Sequence, residues 1–143
     1  VEKIMEKATE KLLKNHDLRI TKVRTVVLDY FHSQTVALSH ADIEQQFVKE
    51  FDRVTLYRTL NTFLEKGLVH KVPDDSGVAR YAVCRTSCSE HHHMDNHVHF
   101  KCEVCEKVEC LHELAIPEMK VPAGYEVHSA NLLIQGICNR CVD

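Results

Sequence analysis

RVTLYRTLNTFLEKGLVHKVPDDSGVARYAVC, residues 53–84, changes its hydrophobic period part-way, and that change decides the fold. Its first half repeats at helical spacing. Val54, Leu56, Leu60, Phe63 and Leu64 form one apolar stripe, Asp52 is placed to cap the start, and Gly67 suits the left-handed position that ends a helix. The second half shortens the period. LVHKV and VARYAVC read as two strands around a Pro/Asp/Gly turn, a β-hairpin.

Upstream, three more helices are expected. EKIMEKATEKLLKN (2–15) places Ile4, Met5, Ala8, Leu12 and Leu13 at helical spacing. Thr21 is a cap for KVRTVVLDYF, with Val23, Val26, Val27, Tyr30 and Phe31 on one side. Ser39 caps HADIEQQFVKE, with Ile43, Phe47 and Val48 inward, and Asp42 stands three positions on, as in a capping box. Helices followed by a hairpin give the order of a winged helix-turn-helix. Downstream, 85–96 reads as a polar linker. HVHFK, KVEC and YEVHSANLLIQGIC read as strands, and HELAIPEMK as a short helix interrupted by Pro117. The expected class is α/β (α+β), with domains at 1–84 and 97–143 joined by that linker.

The 143 residues suffice for one domain or two small ones, and no apolar run is long enough for a membrane span. No charged-then-apolar leader is visible, so the expected compartment is the cytoplasm. A net charge of −3 excludes a globally basic nucleic-acid binder. The charge is unevenly spread: residues 1–83 hold 13 Lys/Arg against 12 Asp/Glu, and residues 84–143 hold 5 against 9. Seven cysteines and 11 histidines are the unusual counts, and every Cys lies at or beyond residue 84.

Two C-x-x-C pairs, Cys102/Cys105 and Cys138/Cys141, suit one tetrahedral ion. Four thiolates leave no position for water, so this zinc is expected to be structural, stapling the end of the chain to the HVHFK strand. A redox C-x-x-C would need a helix start in a βαβ unit, and neither pair has one.

In an extended 97–102, His97 and His99 share one face while Cys102 points the other way. The histidines should therefore feed a second site. His70 on the hairpin and Cys84 at its end can complete it, giving three imidazoles and a thiolate drawn from both halves of the chain. Such a site favours one relative orientation of the halves, which is the logic of a sensor. Cys88 with His91, His92 and His93 competes for a place in it. Cys110 reads first as a small buried residue in a strand and second as a ligand. His16, His32, His40, His112 and His128 read as ordinary surface or core residues.

The side of 53–67 opposite the apolar stripe carries Arg53, Thr55, Tyr57, Arg58 and Asn61. That set suits base edges and phosphates in a major groove, with Arg19, Lys22 and Arg24 as further phosphate or minor-groove contacts. An enzyme is not expected. A zinc deaminase needs H-x-E with P-C-x-x-C; no H-x-E occurs and no Pro precedes either C-x-x-C.

VTLYRTLNTFLEKGLV, HHH…HVHFKCEVCEKV and GICNRC together resemble the ferric uptake regulator family over nearly all of residues 10–141. The resemblance implies a winged-helix DNA-binding domain, an α/β dimerisation domain, a homodimer, and a metal-dependent transcriptional repressor of double-stranded operator DNA with no small-molecule substrate. It implies recognition by Tyr57 and Arg58, a basic minor-groove residue at or near Arg19, and structural zinc on Cys102, Cys105, Cys138 and Cys141. Iron- and peroxide-sensing members use a histidine and an acidic residue where this chain has Ala37 and Ala82. Zinc-sensing members use positions that fall on His70 and Cys84, with His97 and His99. The chain therefore resembles the zinc uptake regulator branch most, with Fe2+ or Mn2+ as alternative regulatory ions. The span from Cys84 to His97 is longer than usual, and Asn96 and Val98 stand where a third metal site often has ligands.

Overall fold

The computed structural model describes residues 2–72, 76–83, 97–128, 130 and 132–142, and for Glu2, Met5, His97, His112 and Ala115 the backbone alone. The linker 85–96, with Cys88 and His91–His93, lies outside the described residues, as does Cys84.

Four helices come first: α1 (Glu2–Asn15), α2 (Lys22–Ser33), α3 (His40–Phe47) and α4 (Arg53–Glu65). Their boundaries follow the caps. Thr21 accepts the Arg24 N–H, and Asp52 accepts the Thr55 N–H at 2.7 Å. Ser39 makes a full capping box with Asp42, whose carboxylate takes the Ser39 N–H at 2.9 Å. Gly67, at φ 77°, ends α4: its N–H reaches the Leu64 carbonyl, and the Leu68 N–H reaches Phe63. That pair of bonds is a Schellman stop.

Leu13, Val27, Leu28, Phe31, Ile43, Leu56, Leu60 and Phe63 form the core of this half. Two expected inward residues face water instead: Val48 is 65% exposed and Val54 is 58% exposed. Val48 follows the last turn of α3, and Val54 sits in the first turn of α4, and among the described residues neither side chain is covered. Ile4 is exposed as well, and α1 docks through Leu13 and a Thr9 hydroxyl bond to Asp29.

The hairpin is present as β2 (Val69–Val72) and β3 (Arg80–Val83). A two-residue strand, β1 (Leu38–Ser39), adds to its other side, giving the order β1-β3-β2. The second half is a sheet of β4 (His97–Cys102), β5 (Val108–Ala115) and β6 (Leu133–Gly136), ordered β5-β4-β6. β5 runs antiparallel to the central β4 and β6 runs parallel to it. The helix expected over HELAIPEMK does not form. HELA is the far half of β5: the strand bulges there, the register with β4 shifting between His97–Ala115 and Val98–Leu111, and Pro117 follows its end. The strand expected over 125–138 is confined to Leu133–Gly136.

One face of this sheet packs against the first half. Ala37, Val72 and Val108 are buried together, with Ala82, Cys110 and Leu133 against them. The backbones also join: the Ala37 N–H donates to the Val108 carbonyl at 2.7 Å, and Val36 bridges Glu109.

Candidate metal centres and nucleic-acid face

Cys102 ends β4, and Cys105 follows in the turn to β5. Cys138 lies just past β6, because Gly136 pairs with Cys102 in the parallel register. A Cβ at Gly136 would come within 3.2 Å of the Phe100 ring, so the bare backbone lets the last strand approach. The four sulfurs of Cys102, Cys105, Cys138 and Cys141 all lie within 4.8 Å of one another, with Cys105 Sγ to Cys138 Sγ at 3.9 Å. Sulfurs at about 2.3 Å from a tetrahedral zinc would sit roughly 3.8 Å apart, so the cluster is close to the required size.

The surrounding backbone favours a thiolate at Cys102. The Cys138 and Cys105 N–H groups point at Cys102 Sγ at 3.4 and 3.5 Å. Those donors pull the Cys102 thiol down to about 6. Its neighbour Cys141 is pushed up to about 12, first by its hydrogen bond to Cys138 and then by burial. Without a cation, a cluster of this kind must keep a proton among its sulfurs; a divalent ion takes that role. Arg140, between the last two cysteines, pairs with Glu109 of β5.

The second cluster sits on the opposite face of β4. His99 pairs in register with Cys110 on β5, and β2 brings His70 over both. Ligand atoms of His70, His99 and Cys110 lie within 4.8 Å of one another. His70 Nε2 is 4.0 Å from Cys110 Sγ, and the two imidazole centroids are 5.9 Å apart. His70 is 3% exposed and His99 is 1% exposed. Of the expected set His70, Cys84, His97 and His99, the structure brings together His70 and His99; Cys84 and the side chain of His97 fall outside the described parts. The third member is Cys110, whose sequence context suggests first a plain buried residue. The antiparallel return of β5 through the tight turn at 103–107 puts residue 110 directly across from 99.

The two sites thus use opposite sides of one strand, and no imidazole joins the four-cysteine cluster among the described residues. Ala37 and Ala82 lie in or against the apolar contact between the halves.

On α4, Arg58 and Asn61 are exposed while Thr55 and Tyr57 are half-buried. Arg53 lies over the Tyr57 ring at 5.5 Å and 3.6 Å from Glu44 of α3. Arg19 is exposed in the connection before α2, its carbonyl accepting from Arg24 Nη1 at 2.8 Å. His40 has its pKa held below the ordinary histidine value by burial and then by Arg53, against an opposing pull from Glu44.

The sequence profile of the ferric uptake regulator family matches residues 15–135. This chain belongs to the ferric uptake regulator family. A ferric uptake regulation protein of Staphylococcus epidermidis (strain ATCC 12228) is 30% identical over 135 residues, covering 92% of this chain and 91% of the relative. Among solved structures, a zinc uptake regulator complexed with zinc and DNA superposes with a TM-score of 0.65 at 24% identity, covering 98% of this chain and 93% of that one. The ferric uptake regulator of Helicobacter pylori, described as having three functional metal binding sites, gives 0.60 at 17% identity over 99% of this chain and 93% of its own. The chain shares their fold. Family membership makes it a metal-responsive transcriptional regulator rather than an enzyme.

Proposed function

We propose that the chain is a zinc-responsive repressor of metal-homeostasis genes, working in the cytoplasm as a homodimer on double-stranded operator DNA. The observation that carries this reading is the convergence of His70, from the hairpin, with His99 and Cys110, from the second sheet. Three donors from two halves of the chain can be satisfied together only when the halves are docked.

The donor chemistry favours zinc. Two imidazoles and a sulfur are borderline-soft ligands, whereas carboxylate-rich sites suit harder ions. Cys84 and His97 are the candidates for the remaining positions. Ala37 and Ala82 offer no donor where an iron site would need them. When bound, the ion supplies a positive centre that holds its ligands deprotonated and close. His70 then ties β2, and with it α4, to β4 and β5. In that docked orientation Thr55, Tyr57 and Arg58 would read the major groove while Arg19 reaches the neighbouring backbone or minor groove. Cys102, Cys105, Cys138 and Cys141 hold a permanent structural zinc that fixes the sheet. Leu114, Leu132, Ile134 and Ile137 are exposed apolar residues of this half and suit the face of a second copy.

A second reading is the same scaffold answering to iron or peroxide, and the Staphylococcus relative's name supports iron. Metal analysis combined with DNA binding across titrations of Zn2+, Fe2+ and Mn2+ separates the two. Zinc should restore operator binding at the lowest free concentration, over and above one tightly held ion per chain. Equal DNA affinity with and without the second ion would remove the sensor claim.

A further inference from the structure

His40 opens α3 and stands where three elements meet. Its ring stacks on Tyr57 of α4, with centroids 3.9 Å apart and planes 12° from parallel. It meets Tyr81 of β3 edge-on at 5.4 Å and 77°, and the Tyr81 hydroxyl lies 3.5 Å from its Nε2. Tyr81 is a fixed wall: it is 4% exposed and pairs with Leu38 of β1. Tyr57, in contrast, is only half-buried. A tyrosine so placed can swing between rotamers, and each swing moves its hydroxyl by several times the tolerance of a hydrogen bond.

We propose that His40 is a positioning residue for DNA reading, fixing the Tyr57 ring against the hairpin so that its hydroxyl is preorganised toward the groove. The proposal rests on the reading of α4 as the DNA-contacting helix. His40 acts through Tyr57 and need not touch DNA. The capping box of Ser39 and Asp42 locks the first turn of α3, and with it the backbone of His40. The charged and titratable groups around the imidazole are Arg53 and Tyr57 of α4, Glu44 of α3 and Tyr81 of β3. Arg53 bridges the same two helices, from Glu44 to the Tyr57 ring, so the tyrosine is constrained by both a stack and a cation.

The test uses the full zinc-loaded chain and a DNA duplex that the unaltered protein selects from a randomised pool, with affinity read by fluorescence anisotropy. Tyr57→Ala comes first. Unchanged affinity there would defeat the reading of α4 itself, and this proposal with it. With Tyr57 established, His40→Ala should weaken binding about 3- to 10-fold, the range set by one aromatic pair. His40→Phe, which restores a flat ring, should stay within about 2-fold of the original. The double variant His40→Ala/Tyr57→Ala should bind no more weakly than Tyr57→Ala alone. A His40→Ala variant that binds like the parent, or losses that add in full, would overturn the proposal. Should His40→Ala fail to fold by circular dichroism, His40→Phe and His40→Gln decide it. Retention by Phe with loss by Gln supports the stack, and the reverse order sinks it. Zinc content and oligomeric size serve as controls for each variant.

Discussion

His70 Nε2 and Cys110 Sγ stand 4.0 Å apart although 40 residues separate them in sequence and they belong to different halves of the chain. Neither residue gains from this contact unless the hairpin rests on the second sheet. The contact is therefore a measure of docking as well as a pair of donors.

Cys110→Ser should keep the fold and the structural zinc while losing the metal response. Removing a ligand costs more than the roughly 10- to 100-fold in affinity that follows loss of a supporting hydrogen bond. Competition with a chelating dye gives the affinity directly. Retention of full zinc affinity in Cys110→Ser, with loss in Cys84→Ser or Cys88→Ser, would assign the thiolate elsewhere.

Cys102→Ser strikes the permanent site. Cys102 is the sulfur that receives both backbone N–H groups, and zinc binding at such sites is worth on the order of 10 kcal/mol of folding free energy. We expect loss of the tightly held ion, with unfolding of the second half or failure to dimerise, seen by metal analysis and size-exclusion chromatography. Prolonged chelation of the original protein should reproduce it.

Arg58→Ala should weaken DNA binding without touching either metal site, since Arg58 is exposed on α4 and belongs to neither ligand cluster. If its contact is to phosphate, the slope of log affinity against log salt should fall by about 1. An unchanged affinity would move the reading surface off α4.

Ser39→Ala removes one half of the capping box on α3 and should cost about 1 kcal/mol. For a chain of this length that is a drop of roughly 3–5 °C in Tm, measurable by calorimetry. Because His40 follows Ser39 directly, this variant should also lose some DNA affinity.

Local chemistry was legible in the sequence. Thr21, Ser39, Asp52 and Gly67 announce the ends of their helices because a cap is decided within four residues. The two faces of β4 were equally legible, since alternation needs no knowledge of neighbours: Cys102 went to one site and His99 to the other. What failed depended on partners. Val48 and Val54 look inward by period, yet no described element covers them. HELA has helical composition, yet it continues β5 past a shift in register with β4. Cys110 required the register between β4 and β5, which the turn at 103–107 sets and composition does not reveal. The backbone junction between Val36 and Glu109 joins segments too distant for any pattern to indicate.

That junction lies along the start of β5, where the Ala37 N–H also meets the Val108 carbonyl. An uncovered strand margin invites a foreign chain to add to it. Whenever the two halves part, this margin is bared. If a bound ion clamps the halves together as proposed, stripping it should raise aggregation of the free protein as well as loosen its hold on DNA, and light scattering during chelation would show it.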